Sequence, residues 1–169
     1  FDPGAVGNSG LTEKEVNLDI ARKVNEILAK SIDNVIMTRE TDRFISLRRR
    51  VEIANNVDAD LFLSIHNNAA KRKSARGTET FIAHNKNGKS LYLAKKLQNE
   101  LVDKIRLTDR GIKKDNLYVI KYTEMPAALV EVAFISNSKE ENLLSSNTFC
   151  HKAARAIAEG ISEYIEEEH

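Results

Sequence analysis

The stretch LFLSIHNN, residues 61–68, decides the fold, because its first five positions are largely apolar on both faces of a β-strand. Such a strand suits the centre of a sheet that helices cover on two sides. The stretch ALVEVAF, residues 128–134, predicts a second strand of the same kind. Outward from these, the pattern predicts strands at 34–38, 78–83 and 117–121, a turn at 85–88, a loop at 108–116, and helices over 12–30, 46–55, 90–104 and 148–165. The alternation predicts one α/β domain with a mostly parallel central sheet flanked by helices on both faces.

The composition excludes several classes of protein. The chain has 169 residues, of which 41% are hydrophobic and 30% are charged, and these values are typical of one globular domain. Its 26 basic and 25 acidic residues nearly cancel, so no overall field favours a nucleic-acid or lipid partner. The single Cys150 excludes an internal disulfide and a cysteine-rich zinc site. The apolar runs are too short to span a membrane.

Two polar residues are out of keeping with the apolar strands that contain them. His66 ends the run LFLSI, and Glu131 lies between Val130 and Val132. A carboxylate in a buried strand is costly unless a metal ion, a basic partner or a catalytic role compensates for it. Each residue also has an ordinary explanation: a histidine at a strand end is commonly structural, and a glutamate in a strand commonly faces water.

Glu13 is a third candidate, at the start of the first predicted helix. Thr12 and Glu15 fit a capping box, so Glu13 is available for another role. The simpler alternative is that the helix dipole favours an acidic side chain there. Histidine and carboxylate side chains are the residue types of a zinc site that keeps one position open for water.

Four segments together resemble a known family, the zinc-dependent N-acetylmuramoyl-L-alanine amidases of the Amidase_3 type. They occur in the family's order and are distributed along the chain from residue 4 to residue 137: GAVGNSGLTEKEVNLDIA (4–21), MTRETDRFISLRRRVEIAN (37–55), ADLFLSIHNNA (59–69) and MPAALVEVAFISN (125–137). The resemblance implies a peptidoglycan hydrolase, which cleaves the amide bond between N-acetylmuramic acid and L-alanine of the stem peptide. It also implies a single amidase catalytic domain over 1–169.

The same resemblance implies roles for the three candidates. Glu13 and His66 become ligands of one zinc ion, and Glu131 becomes the catalytic carboxylate. The family's remaining zinc ligand is a histidine in a Gly-His-Gly-Gly motif, which we expect upstream of Phe1 together with the family's first strand. His84 and His151 are predicted to be solvated surface residues, and His169 is given no functional role.

The resemblance further implies basic and polar groups that contact the acidic stem peptide. The candidates are Arg39, Arg110, Lys113 and Asn116, the last three in the loop 108–116. Because peptidoglycan lies outside the cytoplasmic membrane, we expect an exported protein. The family's members commonly depend on an attached wall-binding domain or on an activating protein.

Two competing hypotheses remain at this stage. One is a metal-free, non-catalytic homologue that binds the wall or regulates another enzyme. The other is a general zinc peptidase on a similar α/β frame, which the absence of an HExxH motif disfavours.

Overall fold

The structure, a computed structural model, describes residues 2–86 and 88–168. The strands are β1 (Phe62–Asn68), β2 (Thr78–Ile82), β3 (Asp109–Lys114) and β4 (Ala127–Phe134). The helices are α1 (Glu13–Leu28), α2 (Leu47–Asn56), α3 (Gly88–Ile105), α4 (Tyr118–Tyr122), α5 (Ser138–Leu144) and α6 (Asn147–Glu168). Within the described ranges, no helix combines the length and the apolar composition that a membrane crossing requires.

The strands form a mixed four-stranded sheet in the order β1-β4-β2-β3. β1 is parallel to β4, β2 is parallel to β3, and β2 runs antiparallel to β4. The predicted single α/β domain is therefore confirmed. The prediction of a central position for residues 61–65 is wrong for the described sheet, because β1 lies at its edge and β4 lies inside it. The apolar character of β1 reflects helices above and below it rather than strands on both sides.

Alternating residues of β4 pack into two separate hydrophobic cores, one on each face of the sheet. Ala128, Val130 and Val132 pack with α1, α3 and α6 on one side, which we call the α3 face. Ala127 and Leu129 pack with α2 and α4 on the opposite side, the α2 face. Helices therefore lie on both faces of the sheet, as predicted. The core on the α2 face ends before Glu131, so the remainder of that face carries polar side chains.

The start of α1 follows its predicted capping box. The Glu15 carboxylate accepts hydrogen bonds from the backbone N–H of Thr12, at 3.3 Å, and from its hydroxyl. Because Glu15 satisfies the exposed donors at the helix start, the neighbouring Glu13 is free to point elsewhere.

Several predicted elements differ from the structure. The predicted strand at 117–121 is helix α4, in which the Tyr118 and Tyr122 rings, one turn apart, pack at a tilt of 50° with centroids 4.6 Å from each other. Residues 34–38 form no strand. The predicted loop at 108–116 contains strand β3, and helix α5 was not predicted. The predicted turn at 85–88 includes Asn87, which lies outside the described residues.

A groove of about 860 Å³ follows the free edge of β1. Leu63 and Ile65 line it from the strand, Leu28 lines it from α1, and Val35 and Met37 line it from the segment 34–38. That segment therefore lies beside β1 without the backbone pairing that would make it a strand.

Gly160 marks the closest approach between α3 and α6, and it gives a test of this packing. A Cβ atom added at Gly160 would lie 3.0 Å from the Leu97 Cα atom of α3. We expect Gly160→Val to lower the free energy of unfolding by about 1–3 kcal/mol, because the two helices must separate. Urea denaturation measures this loss. The control is Gly88→Val at the start of α3, where an added Cβ meets no atom within 4 Å; an equal loss in both variants would contradict the close contact.

Candidate active site

Ionisable side chains of three adjacent strands lie side by side on the α2 face. His66 of β1 is paired in register with Glu131 of β4, and Glu131 is paired with Glu79 of β2. Because strand residues alternate in direction, His66 shares its face with Phe62, and Glu131 shares its face with Leu129. The core residues that fix these strands therefore also fix the direction of the charged groups.

Glu13 reaches His66 from the start of α1. The Oε1 atom of Glu13 lies 2.8 Å from Nδ1 of His66. The same oxygen accepts hydrogen bonds from the Asn17 side chain at 3.2 Å and from the Asn67 backbone N–H at 3.4 Å. The other oxygen, Oε2, accepts one from the Ala5 N–H at 3.0 Å. The structure thus brings together two of the predicted site residues from segments more than fifty positions apart.

These contacts keep Glu13 ionised. Burial by itself raises the pKa of Glu13, but the hydrogen bonds from His66, Ala5 and Asn17 and the charge of His66 oppose it and lower the pKa to about 2. A carboxylate that accepts several hydrogen bonds is favoured in its charged form. Glu13 is therefore a fixed negative charge beside an imidazole.

A glycine makes room for this carboxylate. Gly4 has a φ of 68°, and a Cβ atom at this position would lie 2.7 Å from Oε2 of Glu13. The loop that contains Gly4 is anchored at its far end, where Ser9 donates its backbone N–H to the Glu141 carboxylate at 2.8 Å. The glycine-rich segment before α1 thus shapes the surroundings of Glu13, as a side chain at Gly4 would displace it.

Glu131 is the least compensated acidic group of the site. Its Oε2 atom is buried and has no hydrogen-bond partner among the described residues. Burial, and then the negative charges of Glu13 and Glu79, raise the pKa of Glu131 to about 9. A strongly shifted carboxyl group in a cleft is typical of catalytic positions.

Arg110 and Lys113 join the site through Glu79. The Nε atom of Arg110 donates to the Glu79 carboxylate at 2.8 Å, and the Lys113 ammonium forms an ion pair with the same oxygen. Sequence reasoning missed Glu79 itself, which is 3% exposed. The argument that singled out Glu131 rests on its apolar neighbours, and Glu79, which lies between Thr78 and Thr80, has none.

Of the other two predicted contact residues, Arg39 lies near the site and Asn116 does not. Arg39 donates to the backbone carbonyl of Lys14 at 2.7 Å, next to the start of α1, and it lines the same groove as Glu13 and His66. Asn116 follows β3 and accepts from the His84 backbone N–H at 3.4 Å, near the end of β2 opposite Glu79. The structure does not bring Asn116 together with the site.

Among the described residues, the histidines other than His66 do not lie in the row of ionisable side chains. His84 and His151 are exposed, which confirms the prediction of surface residues. His169 lies outside the described residues. Within 2–86 and 88–168, no three or more His, Cys, Asp or Glu side chains form a complete metal-binding group. Glu13 and His66, two of the three expected ligands, do meet.

Comparisons with known proteins agree with this architecture. Residues 1–163 match the Amidase_3 family, described as N-acetylmuramoyl-L-alanine amidase. The chain is 44% identical over 164 residues to the N-acetylmuramoyl-L-alanine amidase LytC of Bacillus subtilis, which covers 96% of this chain. This chain spans 33% of the length of LytC.

Two solved structures share the fold along nearly their whole length. The catalytic domain of the amidase CwlV from Bacillus (Paenibacillus) polymyxa var. colistinus superposes with a TM-score of 0.93 at 40% identity, over 98% of this chain and 92% of that one. The CwlD amidase from Clostridioides difficile, in complex with the GerS lipoprotein, gives a TM-score of 0.93 at 34% identity, over 99% and 93%. The chain belongs to the N-acetylmuramoyl-L-alanine amidase family.

The Glu13 contacts predict how stability depends on pH in protein freed of metal by a chelator. The folded-state pKa of about 2 lies below the ordinary value of 4.5, so the stabilisation is present above pH 4.5 and is lost as pH falls toward 2. Between pH 5 and pH 2, we expect the free energy of unfolding of the wild type to fall by roughly 3 kcal/mol more than that of Glu13→Gln. Urea denaturation at the two pH values measures this difference. Glu26→Gln, an exposed carboxylate of the same helix, changes the net charge equally and is the control. Equal pH dependence in wild type and Glu13→Gln would contradict the assigned contacts.

Proposed function

We propose that this domain hydrolyses the amide bond that joins N-acetylmuramic acid to L-alanine of the peptidoglycan stem peptide. Membership of the amidase family supports the reaction class. The observation that carries the proposal is the position of Glu131: its buried, unpartnered oxygen lies on the strand next to the Glu13–His66 contact. One unsatisfied carboxylate beside a carboxylate–imidazole pair suits hydrolysis better than binding alone.

Glu13 and His66 fit one zinc ion. A carboxylate oxygen and an imidazole nitrogen are ligands that zinc accepts in catalytic sites, and here they already approach each other to 2.8 Å. Glu13 is held in the charged form that metal binding needs. Asn17 and the Ala5 N–H orient its two oxygens, as outer contacts of metal ligands commonly do. We propose that the family's Gly-His-Gly-Gly histidine, expected upstream of Phe1, supplies the remaining ligand.

Zinc held by these residues supplies Lewis acidity, which polarises a carbonyl group and eases the deprotonation of water. Glu131 supplies the proton transfers. Its carboxylate accepts a proton from the attacking water, whose oxygen forms a bond with the lactyl carbonyl carbon. The carbon–nitrogen bond then breaks, and Glu131 donates the proton to the alanine nitrogen, which leaves as an amine. The ionised Glu131 that this step needs is favoured by a bound cation, which offsets the neighbouring negative charges.

Basic side chains around the row are proposed to contact the stem peptide. Arg110 and Lys113 form ion pairs with Glu79, which lies on the strand next to Glu131. Arg39 lies near the start of α1. Asn116 remains a proposal that its position near His84 does not favour.

The substrate also implies a location and partners. Peptidoglycan lies outside the cytoplasmic membrane, so we propose that the protein acts there, in the wall or the periplasm. The similar CwlD amidase forms a complex with the GerS lipoprotein, and a comparable activating partner or a wall-binding domain is proposed for this protein.

The general base is tested by Glu131→Gln, which keeps the shape of the side chain. We expect hydrolysis of purified peptidoglycan to fall by about 10²–10⁴-fold, measured as release of alanine amino termini. Zinc content and the free energy of unfolding should remain close to wild type. Glu124→Gln, an exposed glutamate before β4, is the matched control. Hydrolysis at the wild-type rate by Glu131→Gln would remove Glu131 from the mechanism.

The zinc ligands are tested separately from catalysis. We expect His66→Ala to lower the zinc content per protein, measured by elemental analysis, since one protein ligand is lost. His84→Ala, which removes an exposed histidine of the opposite sheet end, should leave the zinc content unchanged. Wild-type protein that holds no zinc and does not cleave peptidoglycan would favour the non-catalytic homologue instead.

A further inference from the structure

Glu79 is a buried carboxylate to which the steps above give no role. Its Oε1 atom accepts from the Asn68 side chain at 2.7 Å, and its Oε2 atom accepts from Arg110 at 2.8 Å and is paired with Lys113. A buried charge needs such partners to be tolerated. Here two cations share one anion, and that anion is paired in register with Glu131.

The two cations reach the same carboxylate because β3 contains a bulge. In a regular strand, residues three positions apart such as Arg110 and Lys113 point to opposite faces. The two steps from Thr78 to Thr80 on β2 correspond to three steps on β3, so β3 carries an extra residue there. Gly111 within it has a φ of 75°, which suits glycine. The bulge therefore turns Arg110 toward the face of Lys113, where both meet Glu79.

Arg110 makes further contacts, and the side chains of both cations remain partly exposed. The Arg110 guanidinium lies 4.9 Å from the centroid of the Phe134 ring, and its Nη1 atom donates to the Arg76 carbonyl at 3.4 Å. The side chains of Arg110 and Lys113 are 31% and 39% exposed. A guanidinium has five N–H donors and an ammonium has three, so these contacts leave donors for a ligand.

The distance from Glu131 selects the part of the substrate that these donors could meet. β3 is two strands from β4, and neighbouring strands lie about 4.8 Å apart, so β3 is roughly 10 Å from Glu131. The Arg110 and Lys113 side chains extend from β3 toward Glu79, which lies on β2 between β3 and β4. A peptide advances at most about 3.5 Å per residue, so the second residue of the stem, about 7 Å from the reacting amide, falls within this span.

We infer that Arg110 and Lys113, positioned by Glu79, bind a free carboxylate on the stem residue that follows alanine. The site prefers stems with this carboxylate over stems in which it is amidated. The inference rests on the proposed function, because it names the part of the same substrate that Arg110 and Lys113 bind. The donors bind the anion, and Glu79 acts through them as a positioning residue.

The test compares two muramoyl peptides that differ in one group. The residue after alanine carries either a free carboxylate or a carboxamide, and all other carboxyl groups are capped as methylamides. Calorimetry gives the ratio of the two Kd values in the Glu131→Gln background, and KM and kcat for both peptides are measured in the protein with Glu131 intact. We expect about tenfold tighter binding of the carboxylate form, expressed in KM rather than kcat.

Substitutions in the cluster distinguish residues that bind the stem carboxylate from residues that only stabilise the fold. Arg110→Gln and Lys113→Gln should each bring the Kd ratio below about threefold. Lys114→Gln removes the same charge from the next residue of β3, which points to the other face, and should keep the ratio. Glu79→Asp preserves the charge but shortens the reach, so it should lower the ratio of the two Kd values. A purely structural Glu79 would change stability and leave the ratio intact.

Each outcome has one meaning. A ratio below about threefold in the parent protein, or a ratio that survives Arg110→Gln and Lys113→Gln together, overturns the carboxylate site. If neither peptide is hydrolysed although the ratio is present, the proposed function fails and the binding site stands. If both peptides are hydrolysed without preference, the site fails and the proposed function stands.

Discussion

The parallel pairing of β1 with β4 is the constraint on which the site depends. It places His66 directly opposite Glu131, with both side chains on the α2 face. Side chains alternate along a strand, so a slip of one residue in either strand would turn one group into the apolar core of the α3 face. That core contains Val130 and Val132, which flank Glu131 and are fully buried. The packing that folds the chain therefore also aligns the reacting groups.

The acidic side chains near His66 are compensated to different degrees. Glu13 accepts hydrogen bonds on both oxygens, and Glu79 is paired with two cations. Glu131 keeps one buried oxygen without a partner among the described residues, and its pKa is raised to about 9. Hydrogen-bond donors therefore surround the carboxylates of Glu13 and Glu79, whereas one oxygen of Glu131 has none among the described residues. Unsatisfied buried groups are costly, so the one that persists here is best explained by chemistry that satisfies it during turnover.

The elements with strong periodicity could be predicted from the sequence, and the weakly patterned ones could not. α1, α3 and α6 each bury one apolar stripe, and ALVEVAF is apolar on both faces, so these were correct. The segment DRGIKK of β3 is polar and lies at the sheet edge, where no alternation is needed. Glu13, His66 and Glu131 stood out from their neighbours, whereas Glu79 lies between two threonines and resembles an exposed strand position. Only the sheet order shows that this position is buried beside Glu131.

The irregular strand pairings of the described sheet lie at its polar end. The register of β1 and β4 shifts after His66, and β3 has its bulge opposite the start of β2. Gly4 adopts a positive φ against Glu13, and Gly111 does so within the bulge. Regular strands can present only alternate residues to a face, so a compact charged cluster drawn from four strands requires such departures. The two apolar cores on either side of the sheet offset the cost of these departures.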